Sequence, residues 1–198
     1  SQVEIQSGIQ FYDGITTAEI QEILIRSASD LISLDNPNYQ YVAARLLLYA
    51  IRKSLYGRLW ELPHLYDHIT YCIERDVYDS DILVKYTREE IETLNDIIDH
   101  GRDFIFTYAG LRQVADKYLV QDRSSGKVYE TPQFMYLLIA MTIFADYPQE
   151  TRLDYVTRYY TAISKHRINI PTPIMGGVRT PLRQFASCVL VDADDTLD

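Results

Sequence analysis

Ile168-Asn169-Ile170-Pro171-Thr172-Pro173 is the stretch in which the helical period of this sequence stops. Proline disfavours a helical conformation in the residue before it, so two prolines one residue apart predict extended backbone and a boundary. Gly176-Gly177 and Thr180-Pro181 prolong the irregular stretch, and Phe185 to Val191 then reads as a short buried strand. That strand has no obvious neighbour. Its backbone groups need partners, and even a two-stranded pair is marginal alone in water. A hairpin near residue 120 offers one edge, but the expected partners are strands that follow Asp198 or belong to another chain.

Upstream of the boundary the periodicity is that of helices. Thr16-Thr17-Ala18-Glu19 has capping-box spacing and precedes Ile20, Ile23, Leu24, Ala28 and Leu31, which predicts a helix from about 17 to 33. Tyr39, Val42, Ala43, Leu46, Leu47 and Ala50 share one face of a second helix, and Gly57 suits its left-handed stop. After Leu62-Pro63, a weaker helix is expected over His64 to Arg75. Thr87-Arg88-Glu89-Glu90 is another capping box leading into Ile91, Leu94, Ile97 and Ile98. Asp103 to Lys117 is read as helix, although Thr107, Tyr108 and Gly110 lower its propensity.

Tyr118-Leu119-Val120-Gln121 and Lys127-Val128-Tyr129-Glu130 flank a polar turn with Gly126, the pattern of a β-hairpin. Thr131-Pro132 supplies a cap and a first-turn proline for a helix to about 145, and Pro148 begins another carrying Leu153, Val156, Tyr160 and Ile163. The fold expected from these patterns is mainly α: a helical N-terminal domain with a β-hairpin, ending in a short strand whose neighbours lie elsewhere.

Composition narrows the function. The 198 residues are 47% hydrophobic and 24% charged, ordinary for a globular protein able to bury its own core. Nineteen Lys and Arg against 28 Asp and Glu give a formal charge of -9, which repels a phosphate backbone and argues against direct nucleic-acid binding. The longest apolar run, Phe134 to Ala145, falls short of the roughly 18 residues of a membrane span and reads as a buried helix. Cys72 and Cys188 are the only cysteines, without zinc-site spacing, and no N-terminal signal segment is visible; a reducing, cytoplasmic setting is expected. The chain starts at Ser1 rather than Met and stops near an unfinished apolar segment, so both ends read as cuts.

Pro171-Thr172-Pro173-Ile174-Met175-Gly176-Gly177-Val178-Arg179-Thr180-Pro181, followed by Arg183-Gln184-Phe185-Ala186-Ser187-Cys188-Val189-Leu190, closely resembles a long signature of the large subunits of class I ribonucleoside-diphosphate reductases. Asp13-Gly14-Ile15, Tyr39-Gln40-Tyr41 with Ala43-Ala44-Arg45, Tyr118-Leu119-Val120 and Glu150-Thr151-Arg152-Leu153 resemble the bacterial and phage Ia form, so the likeness runs nearly end to end. The resemblance implies the N-terminal portion of a subunit that reduces ribonucleoside diphosphates to deoxyribonucleoside diphosphates, incomplete alone. It implies three regions: residues 1–57 as the later part of an ATP-cone, 58–170 as a helical domain with its hairpin near 118–130, and 171–198 as the start of a ten-stranded α/β barrel.

The resemblance also implies site residues. Cys188 matches the first redox cysteine, whose partner thiol and radical-bearing cysteine have no counterpart here. Replacing a ribose 2'-hydroxyl by hydrogen takes a radical at the 3' carbon and two thiols, so one thiol is half of the apparatus. Thr172 and Ser187 match residues that hold the substrate diphosphate. Asp195, Thr196 and Leu197 match the edge of the specificity-effector site, with Asp194 standing where many relatives have Gly. Thr17 and Lys53 match nucleotide contacts of the ATP-cone, but Gln21 replaces a common histidine and the cone's opening segment is absent, so an intact activity site is not expected.

No covalent cofactor and no metal ligand set are expected in the chain. The effectors implied are ATP, dATP, dTTP and dGTP, and the metal-radical centre sits in a separate small subunit. Further partners implied are the remainder of the large subunit, thioredoxin or glutaredoxin as reductant, the nucleoside diphosphates, and a second copy through the complete subunit. No membrane is involved.

Plainer readings stand beside these. Taken alone, Cys188 is a buried structural cysteine, Thr172 a turn residue, and Ser187 a strand hydroxyl. Asp192, Asp194, Asp195 and Asp198 lack calcium-loop spacing and read as an acidic chain end. His64, His68, His100 and His166 favour surface or helix-capping roles, and the 17 tyrosines favour packing with a polar tip. The rival function is a non-catalytic module that binds nucleotide or docks a subunit.

Overall fold

The computed structural model describes residues 1–182 and 184–190. Helices α1 (Gln2–Gly8) and α2 (Thr17–Asp30) each open on a reciprocal cap, Ser1 with Glu4 and Thr16 with Glu19. The box expected at Thr16 therefore forms, and α2 ends a turn earlier than its periodicity suggested. Helix α3 (Tyr39–Tyr56) ends at Gly57, whose φ of 67° is the left-handed stop read from the sequence. Helix α4 (Leu65–Ile73) starts after His64, whose Nδ1 accepts from the Tyr66 N–H. A short α5 (Asp81–Lys85), not foreseen, precedes α6 (Arg88–Asp96), where Thr87 and Glu90 complete the second expected box.

The single helix expected over 103–117 is three pieces. A tight 3-10 stretch (His100–Ile105) leads to α7 (Tyr108–Gln113) and then to a wider π turn (Val114–Tyr118). Thr107 explains the break: its hydroxyl accepts from the Gly110 N–H at 3.3 Å, so it caps a new helix instead of sitting inside one. The hairpin is present but short. Strands β1 (Gln121–Asp122) and β2 (Lys127–Val128) pair antiparallel, with Gln121 opposite Val128 and Gly126 at φ 70° in the turn. Tyr118 belongs to the π turn and Glu130 points into the core, so neither extends the ladder.

Helix α8 (Pro132–Ile143) begins with its expected proline, and every residue from Pro132 to Met141 is buried. An all-round apolar helix belongs at the centre of a fold. Thr131 does not cap it: its hydroxyl makes no cap bond and is buried near the Tyr56 hydroxyl. Helix α9 (Gln149–Ser164) lays Val156, Tyr160 and Ile163 against α8. Around this pair, α2 packs on α3, α3 on α7, and α4 on α6.

Two expectations at the end of the described chain need correction. The Pro171 to Gly177 stretch is not irregular throughout: Thr172–Gly177 is a helical turn and a half, α10, with Pro173 in its first turn where a missing N–H is harmless. The buried strand expected over Phe185 to Val191 is not formed over 185–190, and those residues are exposed. A strand exists only when a neighbour completes its ladder, and none of the described elements lies alongside. His68 is a third correction, being buried rather than at the surface, with its ring stacked 4.1 Å from Phe134.

Candidate functional site

The residues singled out in the sequence fall around two cavities and one exposed segment. The first cavity, about 750 Å³, lies between α7, the π turn and the approach to α10, and Tyr118, His166, Arg167, Asn169 and Thr172 are among its lining. Thr172 opens α10 with an exposed side chain whose Oγ1 lies 3.3 Å from the Tyr118 hydroxyl. The two hydroxyls therefore meet at the rim of this space.

What fixes that meeting is a buried ion pair. Arg179, fully buried, pairs with the fully buried Glu130, donating to both carboxylate oxygens. The same guanidinium donates from Nη2 to the Tyr118 carbonyl at 2.9 Å and from Nη1 to the Met175 carbonyl at 2.6 Å. One side chain thus ties the π turn and α10 to the end of the hairpin. Glu130 is satisfied in turn by the Tyr78 hydroxyl at 2.6 Å and the Val120 N–H at 2.7 Å. Burial and the Glu130 charge push the Tyr78 phenol far above its ordinary range, so it stays a donor.

Beyond α10 the chain runs over the surface. Phe185 lies against Gly177, within 3.9 Å of where a β-carbon there would stand, and beside Ile82 and Tyr86. Ser187 and Cys188 follow, both exposed, with Oγ and Sγ 3.7 Å apart. Cys188 is a free thiol, as is Cys72. The two differ in environment: Cys72 is buried in α4 between His68 and the Tyr129 carbonyl, and burial, then the Glu130 charge, pushes its thiol up to about 12. Among the described residues no hydrogen bond joins Thr172 to Ser187. Asp195, Thr196 and Leu197, with the acidic cluster they belong to, lie outside the described residues.

The second cavity, about 710 Å³, lies between α2 and α3 and brings Thr17 and Lys53 into one lining with Tyr12, Gln21 and Arg26. Gln21 donates to the Leu46 carbonyl at 3.0 Å, and Glu19 is occupied by the Thr16 cap and by the Tyr12 hydroxyl. The cations that remain toward the cavity are Lys53 and Arg26. Among the described residues no group of three or more His, Cys, Asp or Glu is placed to hold a metal ion. No helix among them is long and apolar enough to cross a membrane.

Residues 104–183, which contain the Tyr118, Glu130, Thr172 and Arg179 cluster, match the family described as ribonucleotide reductase, all-alpha domain. Along its whole length the chain is similar to alpha subunits of ribonucleoside-diphosphate reductases. Over 198 residues it is 54% identical to the ribonucleoside-diphosphate reductase subunit alpha of Haemophilus influenzae and 53% identical to the ribonucleoside-diphosphate reductase 1 subunit alpha of Escherichia coli. The subunit alpha of Enterobacteria phage T4 is 48% identical over 196 residues. In each case the match takes in 98% or more of this chain and 26% of the relative, so the chain spans about a quarter of the length of these reductase subunits.

Within the matched segment, the sequence reading missed Tyr118 and the Arg179–Glu130 pair as parts of the candidate site. Buried charges carry little sequence signal, because a Glu after a hairpin and an Arg after a glycine pair look like ordinary surface residues. Only the folded chain brings them together to neutralise each other.

Proposed function

We propose that this chain is an N-terminal portion of the alpha subunit of a class I ribonucleoside-diphosphate reductase and contributes to that enzyme one redox thiol, part of the diphosphate pocket and part of a nucleotide cavity. The observation that carries this reading is an exposed, free Cys188 in a chain that is 54% identical along its length to such a subunit. Accessibility is what thiol exchange requires, and a buried thiol with the pKa of Cys72 is a poor source of thiolate.

In the reaction, the ribose 2'-hydroxyl leaves as water and hydrogen takes its place. The two electrons come from two thiols, Cys188 and one supplied by the rest of the subunit, which end as a disulfide. A thioredoxin or glutaredoxin dithiol then exchanges with that disulfide and carries the oxidation away. The radical that activates the 3' carbon is generated by a metal centre in a separate small subunit. Thr172 and Ser187 hold the diphosphate through hydroxyl donors, which need no cationic surface. The stretch from residue 171 begins an α/β barrel, and the exposed 185–190 segment becomes its first strand when neighbouring strands complete the ladder.

Thr17 and Lys53, lining one cavity, are the nucleotide-facing remnant of an ATP-cone, while a specificity role for Asp195, Thr196 and Leu197 rests on resemblance alone. Effectors are ATP and deoxynucleoside triphosphates, the setting is the cytoplasm, and the complete subunit acts as an oligomer.

The test is Cys188→Ser in a complete alpha subunit containing these residues, assayed with the small subunit, a thioredoxin system and a ribonucleoside diphosphate. Multiple turnover should fall by at least about 100-fold, the scale of removing an essential exchange partner. Turnover at the parent rate would remove Cys188 from the chemistry.

A further inference from the structure

We infer that Tyr118 is a positioning residue for the substrate diphosphate, acting through Thr172; the inference rests on the reading of Thr172 given above. The Tyr118 hydroxyl and Thr172 Oγ1 are 3.3 Å apart at the rim of the 750 Å³ cavity, close enough for one hydroxyl to orient the other.

The direction of that bond follows from acidity. A phenol, with an ordinary pKa of about 10, is a far stronger acid than an aliphatic alcohol and the better donor of the two. When Tyr118 donates, Thr172 Oγ1 is the acceptor and its own proton is turned away from Tyr118, toward the open side of α10. A phosphate oxygen carries lone pairs and no proton, so it can only accept. A threonine whose proton is already directed outward therefore meets it without first reorienting, and the donation from the phenol polarises that O–H further.

The backbone around the pair is built to hold this geometry. Arg179 grips the carbonyl of Tyr118 itself and the carbonyl of Met175, one turn along α10 from Thr172, while Glu130 holds the guanidinium from the other side. Arg179 is fully buried and has no freedom to release either carbonyl. The phenol, by contrast, is only partly buried; Lys117 lies 5.4 Å from its ring centroid, and Lys117 and Gln113 bear on its hydroxyl after Thr172. Its position is fixed at the backbone, and its hydroxyl faces Thr172.

Tyr118→Phe in a complete reductase alpha subunit removes the hydroxyl and keeps the ring. With small subunit and thioredoxin system present, KM for the ribonucleoside diphosphate should rise roughly 5- to 10-fold, the value of one hydrogen bond to an anion-binding donor, with kcat within about twofold and the thermal midpoint unchanged. Thr172→Ala should raise KM at least as much, and the double variant should be no worse than Thr172→Ala alone, because Tyr118 then has nothing to orient. If Thr172→Ala raises KM while Tyr118→Phe leaves it unchanged, or if the two effects multiply, the Tyr118 role is overturned and the Thr172 reading stands. A lowered thermal midpoint with a fall in kcat alone also overturns it. An unchanged KM in Thr172→Ala overturns both.

Discussion

Arg179 makes bonds to Glu130, Tyr118 and Met175 from a fully buried position, and this concentration in one side chain has an energetic consequence. A buried pair contributes little net stability against an apolar replacement of both members, but removing one member strands the other charge without water. Arg179→Met should therefore lower unfolding stability by about 3–5 kcal/mol in a urea titration, and Arg179→Met with Glu130→Leu should recover a large part of that loss. If the single and double variants unfold at the same urea concentration, the pair is not acting as a buried charge couple. Arg158 and Asp154, 71% and 68% exposed, are the contrast: water screens them and their loss should go unnoticed.

Helix starts divide here into those with a side-chain cap bond and those, at Asn38, Ser80 and Thr131, that carry a capping residue without one. Thr87 accepts from the Glu90 N–H at 3.3 Å while the Glu90 carboxylate accepts from the Thr87 N–H at 2.8 Å, whereas the buried Thr131 hydroxyl makes no cap bond. Thr87→Ala should thus cost about 1 kcal/mol, and Thr131→Val should cost less, since it removes no cap bond and keeps the side-chain shape. Equal losses in the two variants, read from urea midpoints, would contradict the distinction. The same contrast shows what the sequence could convey. Capping boxes at Thr16 and Thr87, the Gly57 stop and the face of α9 were legible because each is a local rule written within a few residues, whereas the buried face of α3 is turned from the one expected, burying Ala44, Leu48 and Ile51 and leaving Val42 exposed. The break at Thr107, the helix at Thr172 and the fate of 185–190 were not, because a threonine can cap or continue, a proline can start a helix or prevent one, and a strand depends on neighbours that local sequence does not name.

At the scale of the molecule, three buried titratable groups with large shifts contribute to the response to acid. Burial, then the charge of His100, holds His68 down to about 3, and burial, then Arg52, holds His100 down to about 4. Burial lifts Asp103 to about 6 against the hydrogen bonds of Gln133 and Arg52. The histidines bind protons in the unfolded chain below their ordinary pKa of about 6.5, so they withdraw stability as pH falls through that value. Asp103 works the other way, since between its ordinary value and about 6 the folded state holds the extra proton. From about pH 6 down to 4 the two histidines outweigh the one carboxyl by one proton, a loss of about 1.4 kcal/mol per pH unit from these groups. His68→Gln should flatten that slope, measured by urea unfolding across the interval; an unaltered slope would remove His68 from the account. The candidate site was legible at this scale only in part. Resemblance pointed to Thr172, Ser187 and Cys188, and to Thr17 with Lys53, but the arginine that orders α10 and the phenol beside Thr172 emerge only when distant segments are brought together. Helix α8 carries one further consequence. With protein on every side from Pro132 to Met141, no direction is left in which a larger or smaller side chain can be relieved. Change along that helix can be accepted only as compensating exchanges of equal total volume, while exposed residues such as Leu34 and Val84 are free to drift one at a time.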